Sequence, residues 1–237
     1  MHVPPPAADS APQRSDAAAP EAGFDLDPAQ VRVLGVLIEK SFITPDAYPL
    51  SINAITTGCN QLTAREPVMN LSEAEVQAAV DRLIARRLVS KRDQASARVA
   101  KYEHLVRLRH SLPPAEQAVL AILMLRGAQT AGELRQRCER LHRFDDVAAV
   151  EAVLEHLAEK YPPLATALPR APGTKETRHV HLLGGDAAVQ EMAEAQASAG
   201  ASGGRGRIAE LEDEVRALRE ALETLRHDFD TFRRQFD

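Results

Sequence analysis

Two stretches of this chain align without a gap, and that repeat constrains the fold more than any other feature. PAQVRVLGVLIEKSFIT (28–44) and PAEQAVLAILMLRGAQT (114–130) share Pro, Ala, Val, Leu, Leu and Thr at offset 86. Each copy starts with Pro just inside a helix, where its missing N–H costs nothing. Apolar residues then recur at helical spacing: Val33, Leu34, Leu37 and Ile38, then Val119, Leu120, Leu123 and Met124.

The likeness continues downstream. A short second helix is predicted over Ser51–Cys59 in one copy and Thr130–Cys138 in the other. A third follows, with Val76, Val80, Leu83 and Ile84 matching Val150, Leu154, Leu157 and Ala158 at offset 74. Ser72 with Glu75 and Thr130 with Glu133 form capping boxes at two helix starts. Each copy then turns extended: Leu88–Lys91 with Arg98–His104, and Leu164–Arg170 with Thr177–Leu183, read as hairpins. Three helices and a hairpin, twice over, predict tandem winged-helix domains in a mainly α, α+β chain. Two generic three-helix bundles are the plainer alternative.

The two offsets differ by 12, so the first copy carries 12 extra residues within 45–70. That stretch bears a family resemblance. LGVLIEKSFITPDAYPLSINAITTGCNQ, REPVM, LSEAEVQAAVDRLI and RVAKYEH resemble the YceH-like proteins, an uncharacterised bacterial family, over about residues 28–183. The resemblance implies tandem winged helices and assigns no activity.

Composition marks the boundaries. Residues 1–24 are Pro- and Ala-rich and read as a disordered tail. Winged-helix domains are expected over 25–110 and 111–183, a flexible Gly/Ala/Ser linker over 184–206, briefly helical around Ala187–Ala195, and a coiled-coil helix over 207–236. In that last helix Ile208, Leu211, Val215, Leu218, Leu222, Leu225, Phe229, Phe232 and Phe236 recur at alternating spacings of 3 and 4. The heptad predicts a parallel homodimer, with Ile208 to Leu225 as its seam. Folding of the same helix back onto the body is the alternative.

The net charge of −5 is uneven: residues 1–28 carry −4, 29–110 carry +4, 111–185 are neutral and 186–237 carry −5. Only the second block has the sign that double-stranded DNA attracts. Helical geometry turns Ala74, Ala78, Asp81, Arg82 and Ala85 outward on the third helix. Arg82, Arg86, Arg87, Lys91, Arg92, Arg98 and Lys101 then form a phosphate-contacting set on that helix and the hairpin. The outward face lacks the Asn, Gln and Ser that read base edges. In the second copy Ala148, Ala152, Glu155, His156 and Glu159 turn outward beside Glu151, a face that repels phosphate. Its hairpin bases Arg170, Lys175 and Arg178 leave room for a glancing contact.

Chemistry-bearing motifs are sparse. No GxGxxG or P-loop is present, so no cofactor is expected. Cys59 and Cys138 occupy matching places and read as buried structural thiols. His179 and His181 alternate on one strand without further ligands, so a wing-surface role is expected and no metal. Tyr48, Asn53, Asn60, Gln61, Arg65 and Glu66 form a candidate pocket in 45–70. The alternative is a buttress in which Tyr48 packs, Asn60 caps a helix and Arg65 pairs with Glu66 or a nearby acid.

The longest apolar run, Ala118–Leu125, is too short to span a bilayer, and the first 24 residues lack a secretory core, so a cytoplasmic protein without membrane contact is expected. The leading functional expectation is a non-enzymatic, dimeric DNA-binding or nucleoid-associated factor. The alternative is a protein-interaction module whose alanine-lined third helices bind partner helices.

Overall fold

A computed structural model describes residues 24–92, 99–170, 176–202 and Val215. The first copy contains α1 (Pro28–Ile43), a 3-10 turn (Pro45–Ala47), α2 (Ile52–Cys59), α3 (Glu73–Ala85), β1 (Val89–Arg92) and β2 (Lys101–His104). A short α4 (Val106–His110) leads to α5 (Pro114–Arg126), β3 (Gln129–Thr130), α6 (Ala131–Cys138), α7 (Val147–Glu159), β4 (Ala165–Ala167) and β5 (Arg178–His181), followed by α8 (Gly185–Ser202). The fold is mainly α with small antiparallel sheets.

Local chemistry explains the boundaries. Ser72 and Thr130 cap α3 and α6, and Glu75 and Glu133 return the bond to the cap N–H, as expected. The sequence reading missed a third box. The Asp27 carboxylate accepts from the Gln30 N–H at 2.8 Å, and the Gln30 side chain accepts from the Asp27 N–H at 2.9 Å. Ser51 caps α2.

α1 and α5 lie against each other, and every residue from Gln30 to Glu39 and from Glu116 to Leu125 is buried. Each helix also touches the second helix of its own copy, and α1 touches α3 as α5 touches α7. No side is left for solvent. Gly35 permits the close approach: a Cβ there would stand 3.1 Å from the Leu125 side chain and 3.2 Å from Met124 Cβ. The buried residues of both copies form one continuous core.

The copies also match in their sheets. β1 pairs with β2 from Val89↔His104 to Arg92↔Lys101, and Leu50 bridges Tyr102 through two backbone bonds of 2.8 and 3.0 Å. In the second copy β3 takes the place of Leu50, giving the order β3-β5-β4. The second helices align at offset 79, so seven of the extra residues precede α2 and five follow it. Cys59 and Cys138 each end a second helix, fully buried, and burial pushes both thiols up to about 12.

The five residues after α2 belong to a polar clasp. The Arg32 guanidinium, 2% exposed, donates to Cys59 O at 2.9 Å and Pro67 O at 2.6 Å. Arg65 donates to Gly58 O at 2.9 Å, to Gln61 Oε1 at 2.7 Å and to both Glu39 oxygens at 3.1 and 2.6 Å. Its acid is therefore Glu39 on α1, not the neighbouring Glu66. Asn60 joins the ends of the loop, donating to Leu71 O and accepting from Leu71 N–H, both at 2.8 Å. Tyr48 packs as the buttress requires, its hydroxyl accepting from the His104 N–H at 2.7 Å.

Several expectations need correction. Gly185–Ser202 is one helix of 18 residues where a flexible linker was expected. Its Ala, Glu, Gln and Met are strong helix formers, and they outweigh the interior Gly200. Ala188, Val189, Met192 and Ala193 are half-buried, and Gln196 Nε2 donates to Pro169 O at 3.2 Å. Phe24, assigned to the tail, is placed, its ring edge-on to His110 at 5.1 Å; residues 1–23 lie outside the described residues. So does the heptad 207–236 apart from Val215, which is helical and half-exposed. His181 is not on a wing surface. It is 5% exposed, and it occupies the hairpin place that His104 holds in the first copy: His104 faces Val89, and His181 faces Ala165. Burial pushes both imidazoles down to about 4, and the Nδ1 of each is buried without a partner.

Two measurements follow from this core. Arg65→Met leaves the Glu39 carboxylate buried beside only Lys40, 3.6 Å away, and should cost about 3–5 kcal/mol in urea unfolding. Glu39→Gln combined with Arg65→Met should recover part of that loss; a single mutant as stable as the parent would remove the clasp from the account. Second, His104 and His181 have folded pKa values below the unfolded 6.5, so the unfolded chain binds more protons between pH 6.5 and about 4. Stability is full above pH 6.5 and falls with pH across that window by up to about 1.4 kcal/mol per unit for each imidazole. A urea midpoint unchanged between pH 7.5 and pH 5 would contradict this.

Candidate nucleic-acid interface

α3 buries Val76, Ala79, Val80 and Leu83 against α1 and α2. Its other side therefore points outward: Ala74, Asp81, Arg82 and Ala85 are exposed and Ala78 is half-exposed, the face expected from 100° steps. Arg86 ends the helix. Arg87 follows at φ 57°, its N–H donating to Ile84 O at 2.9 Å, and turns the chain into β1. Lys91 and Arg92 are exposed on β1, and the register places Lys101 opposite Arg92. The end of α3, the turn and the hairpin carry Arg82, Arg86, Arg87, Lys91, Arg92 and Lys101, and strand alternation puts Arg92 and Lys101 on one face of the hairpin and Lys91 on the other. Arg98 lies outside the described residues.

Three of these bases already have oxygen partners. Arg82 pairs with Asp27 at 2.7 Å, and Arg86 donates to Asp25 O at 3.1 Å. Both partners belong to a short strap, Phe24–Asp27. The strap is fixed by Leu26, which is 3% exposed and donates its N–H to Leu183 O at 2.9 Å. Arg92 pairs with Glu103 at 2.7 Å, and Glu103 also accepts from the Ser90 hydroxyl at 3.1 Å. The side chains of Arg87 and Lys101 make no hydrogen bond or ion pair among the described residues. The sequence reading overlooked Glu103, although period-2 alternation from Lys101 put it on the same face.

The second copy differs in kind. Ala148, Glu151, Ala152, Glu155, His156 and Glu159 are all exposed on α7, an acidic face. Arg178 is bound to Glu133 Oε2 at 2.9 Å and Ala128 O at 2.8 Å, and Arg170 donates to the Thr177 hydroxyl at 3.2 Å. Lys175 lies outside the described residues. The sequence reading also passed over the arginine run 135–143, RQRCERLHR, on α6 and the turn after it.

Five of the six candidate pocket residues have their side chains engaged by the chain itself, and the Glu66 side chain is exposed. Asn60, Gln61 and Arg65 belong to the loop clasp, and the Tyr48 hydroxyl is held by the His104 N–H on β2. Asn53 donates to Glu73 Oε1 at 2.9 Å on the surface, and the backbone N–H of Glu66 donates to Leu125 O at 2.8 Å. No helix among the described residues is long and apolar enough to cross a membrane.

Comparison with known proteins agrees with the motif resemblance. Residues 26–174, from the strap to the second hairpin, match the family model described as "Protein of unknown function, DUF480". A UPF0502 protein of Azoarcus sp. (strain BH72) is 75% identical over 221 residues, 93% of this chain and 98% of that protein. UPF0502 proteins of Janthinobacterium sp. (strain Marseille) and Chromobacterium violaceum are each 51% identical, covering 90% and 82% of this chain and 91% and 87% of their own length. With the family model spanning well over half of the chain and relatives aligned over nearly their whole length, this protein belongs to the DUF480, or UPF0502, family.

Proposed function

We propose that this protein is a non-enzymatic, cytoplasmic nucleic-acid-binding factor that grips the phosphate backbone without reading sequence. Each copy of the repeat acts as a winged helix. The chain works as a homodimer through the heptad Ile208–Leu225, which doubles the contacts and raises avidity. The observation that carries the reading is the concentration of bases from Arg82 to Lys101 along the end of α3, the turn and the hairpin. Its arginines already hold a carboxylate and a carbonyl oxygen from the strap, the same donor geometry a phosphate oxygen would use. The outward alanines of α3 offer methyl groups and no base-reading amides, which fits backbone contact.

A protein-interaction role is the second reading. The exposed Ala74, Ala85, Ala148 and Ala152 favour it, since small side chains let a partner helix approach closely.

Fluorescence anisotropy with a mixed-sequence duplex separates the two. The protein should bind with a log–log salt slope of about −0.9 per phosphate contacted. Lys91→Glu with Arg92→Glu should abolish binding at moderate salt; an absence of binding even at low salt hands the function to the protein-interaction reading. Asp27→Asn keeps the α1 cap, because Asn caps as well as Asp, and removes the charge facing Arg82. It should tighten binding severalfold and steepen the slope by about 0.9. An unchanged slope would mean that Arg82 meets no phosphate.

A further inference from the structure

The second copy has a basic surface that neither its third helix nor its hairpin provides. Residues 134–144, LRQRCERLHRF, carry four arginines and one glutamate. Arg140 and Arg143 are exposed, and their side chains make no hydrogen bond or ion pair among the described residues. Arg135 is braced but not neutralised: it donates to Phe144 O at 3.4 Å and to Asp145 O at 2.8 Å, both neutral carbonyls. Glu133, the nearest acid upstream, is held by Arg178 at 2.9 Å and lies 3.7 Å from Arg137, so one carboxylate serves two arginines.

These side chains frame a depression. Arg135 and Gln136 from α6 and Glu139 just after it line, with Arg143 and Phe144 from the following turn, a cleft of about 150 Å³. Two guanidinium groups outweigh the single carboxylate in the lining, and Arg140 adjoins it. The cleft is preformed, because Phe144 is buried and meets the His142 ring edge-on at 4.7 Å. It is smaller than the roughly 300–1,000 Å³ of sites that enclose a free small molecule. Its size and charge suit one anionic group carried on a chain.

We infer that the second copy contacts the phosphodiester backbone of a nucleic acid through α6 and its following turn, with Arg135 and Arg143 flanking one phosphate and Arg140 meeting the next. This places the contact on a different surface from the acidic face of α7, and it assigns the two copies different binding elements: the end of the third helix and the hairpin in one, the second helix and its turn in the other. The inference rests on the nucleic-acid reading above and extends it to the second copy.

The test uses the full chain and a fluorescein-labelled mixed-sequence duplex, titrated at several salt concentrations. Arg140→Gln with Arg143→Gln should weaken binding at least tenfold and flatten the log–log slope by about 0.9, for the phosphate that loses Arg140 while Arg135 still meets the other. Arg107→Gln, a substitution of an exposed arginine on α4, should leave the slope as it is. Both sites are on the surface, and matching thermal melts confirm that the variants are folded. A double variant with the parental slope overturns the inference while leaving the nucleic-acid reading intact, provided Lys91→Glu with Arg92→Glu weakens binding. A parental protein that binds no duplex at low salt overturns both. If acidic polypeptide competes as well as duplex at equal charge, the cleft is a protein contact and the phosphodiester assignment falls.

Discussion

The crossing of α1 over α5 governs the rest of this molecule. Within one copy the first helix packs against the second and third, which by itself would leave one side to water. Here that remaining side of each first helix meets the other copy, so ten consecutive residues in each are buried. A glycine stands at the contact, where a side chain would meet Leu125 and Met124 at little more than 3 Å. Burying both remaining faces merges the two copies into a single core. It also fixes what stays outside, because the third helices and hairpins flank the central pair and become the surfaces available to a partner.

The same crossing explains why a long polar insert is stable in the first copy. A loop between helices must satisfy its backbone groups, and this one does so with two arginines, one from α1 and one of its own. Arg32 projects from the buried face of α1 and takes two loop carbonyls, while Arg65 returns from the loop to a carboxylate on α1. Arg32 meets those carbonyls through its two terminal nitrogens, its Nε being buried without a partner among the described residues, and a fixed fork of donors suits a loop that offers several carbonyls at once. The cost of burying charge falls on a pair that is well hydrogen-bonded, and the loop gains a fixed path across the helix.

Electrostatics sort the surface differently from a count of bases. Arg82 and Arg92 each face an acid from another part of the chain, so their charge is partly screened within the molecule. The side chains of Arg87, Lys101, Arg140 and Arg143 make no hydrogen bond or ion pair among the described residues. Exposed pairs of this kind are worth little to stability, about 0–1 kcal/mol, and can exchange one oxygen partner for another. The described basic residues are therefore of two kinds, those without an oxygen partner among the described residues and those already holding an oxygen of the chain.

The sequence alone determined what is local. The repeat, the caps at Ser72 and Thr130, the buried faces of α3 and α7, and the matched cysteines were all legible, because helix period and capping chemistry act over a few residues. The family motifs were legible for the same reason. Tertiary structure decided what depends on groups far apart in the chain: Glu39 as the partner of Arg65, Asp27 as the partner of Arg82 and Glu133 as the partner of Arg178. It also decided that Gly185–Ser202 continues as a helix against the second copy and that His181 is enclosed. Side-chain type sets which interactions a residue can make, but the packing of α1 on α5 sets which of them come within reach.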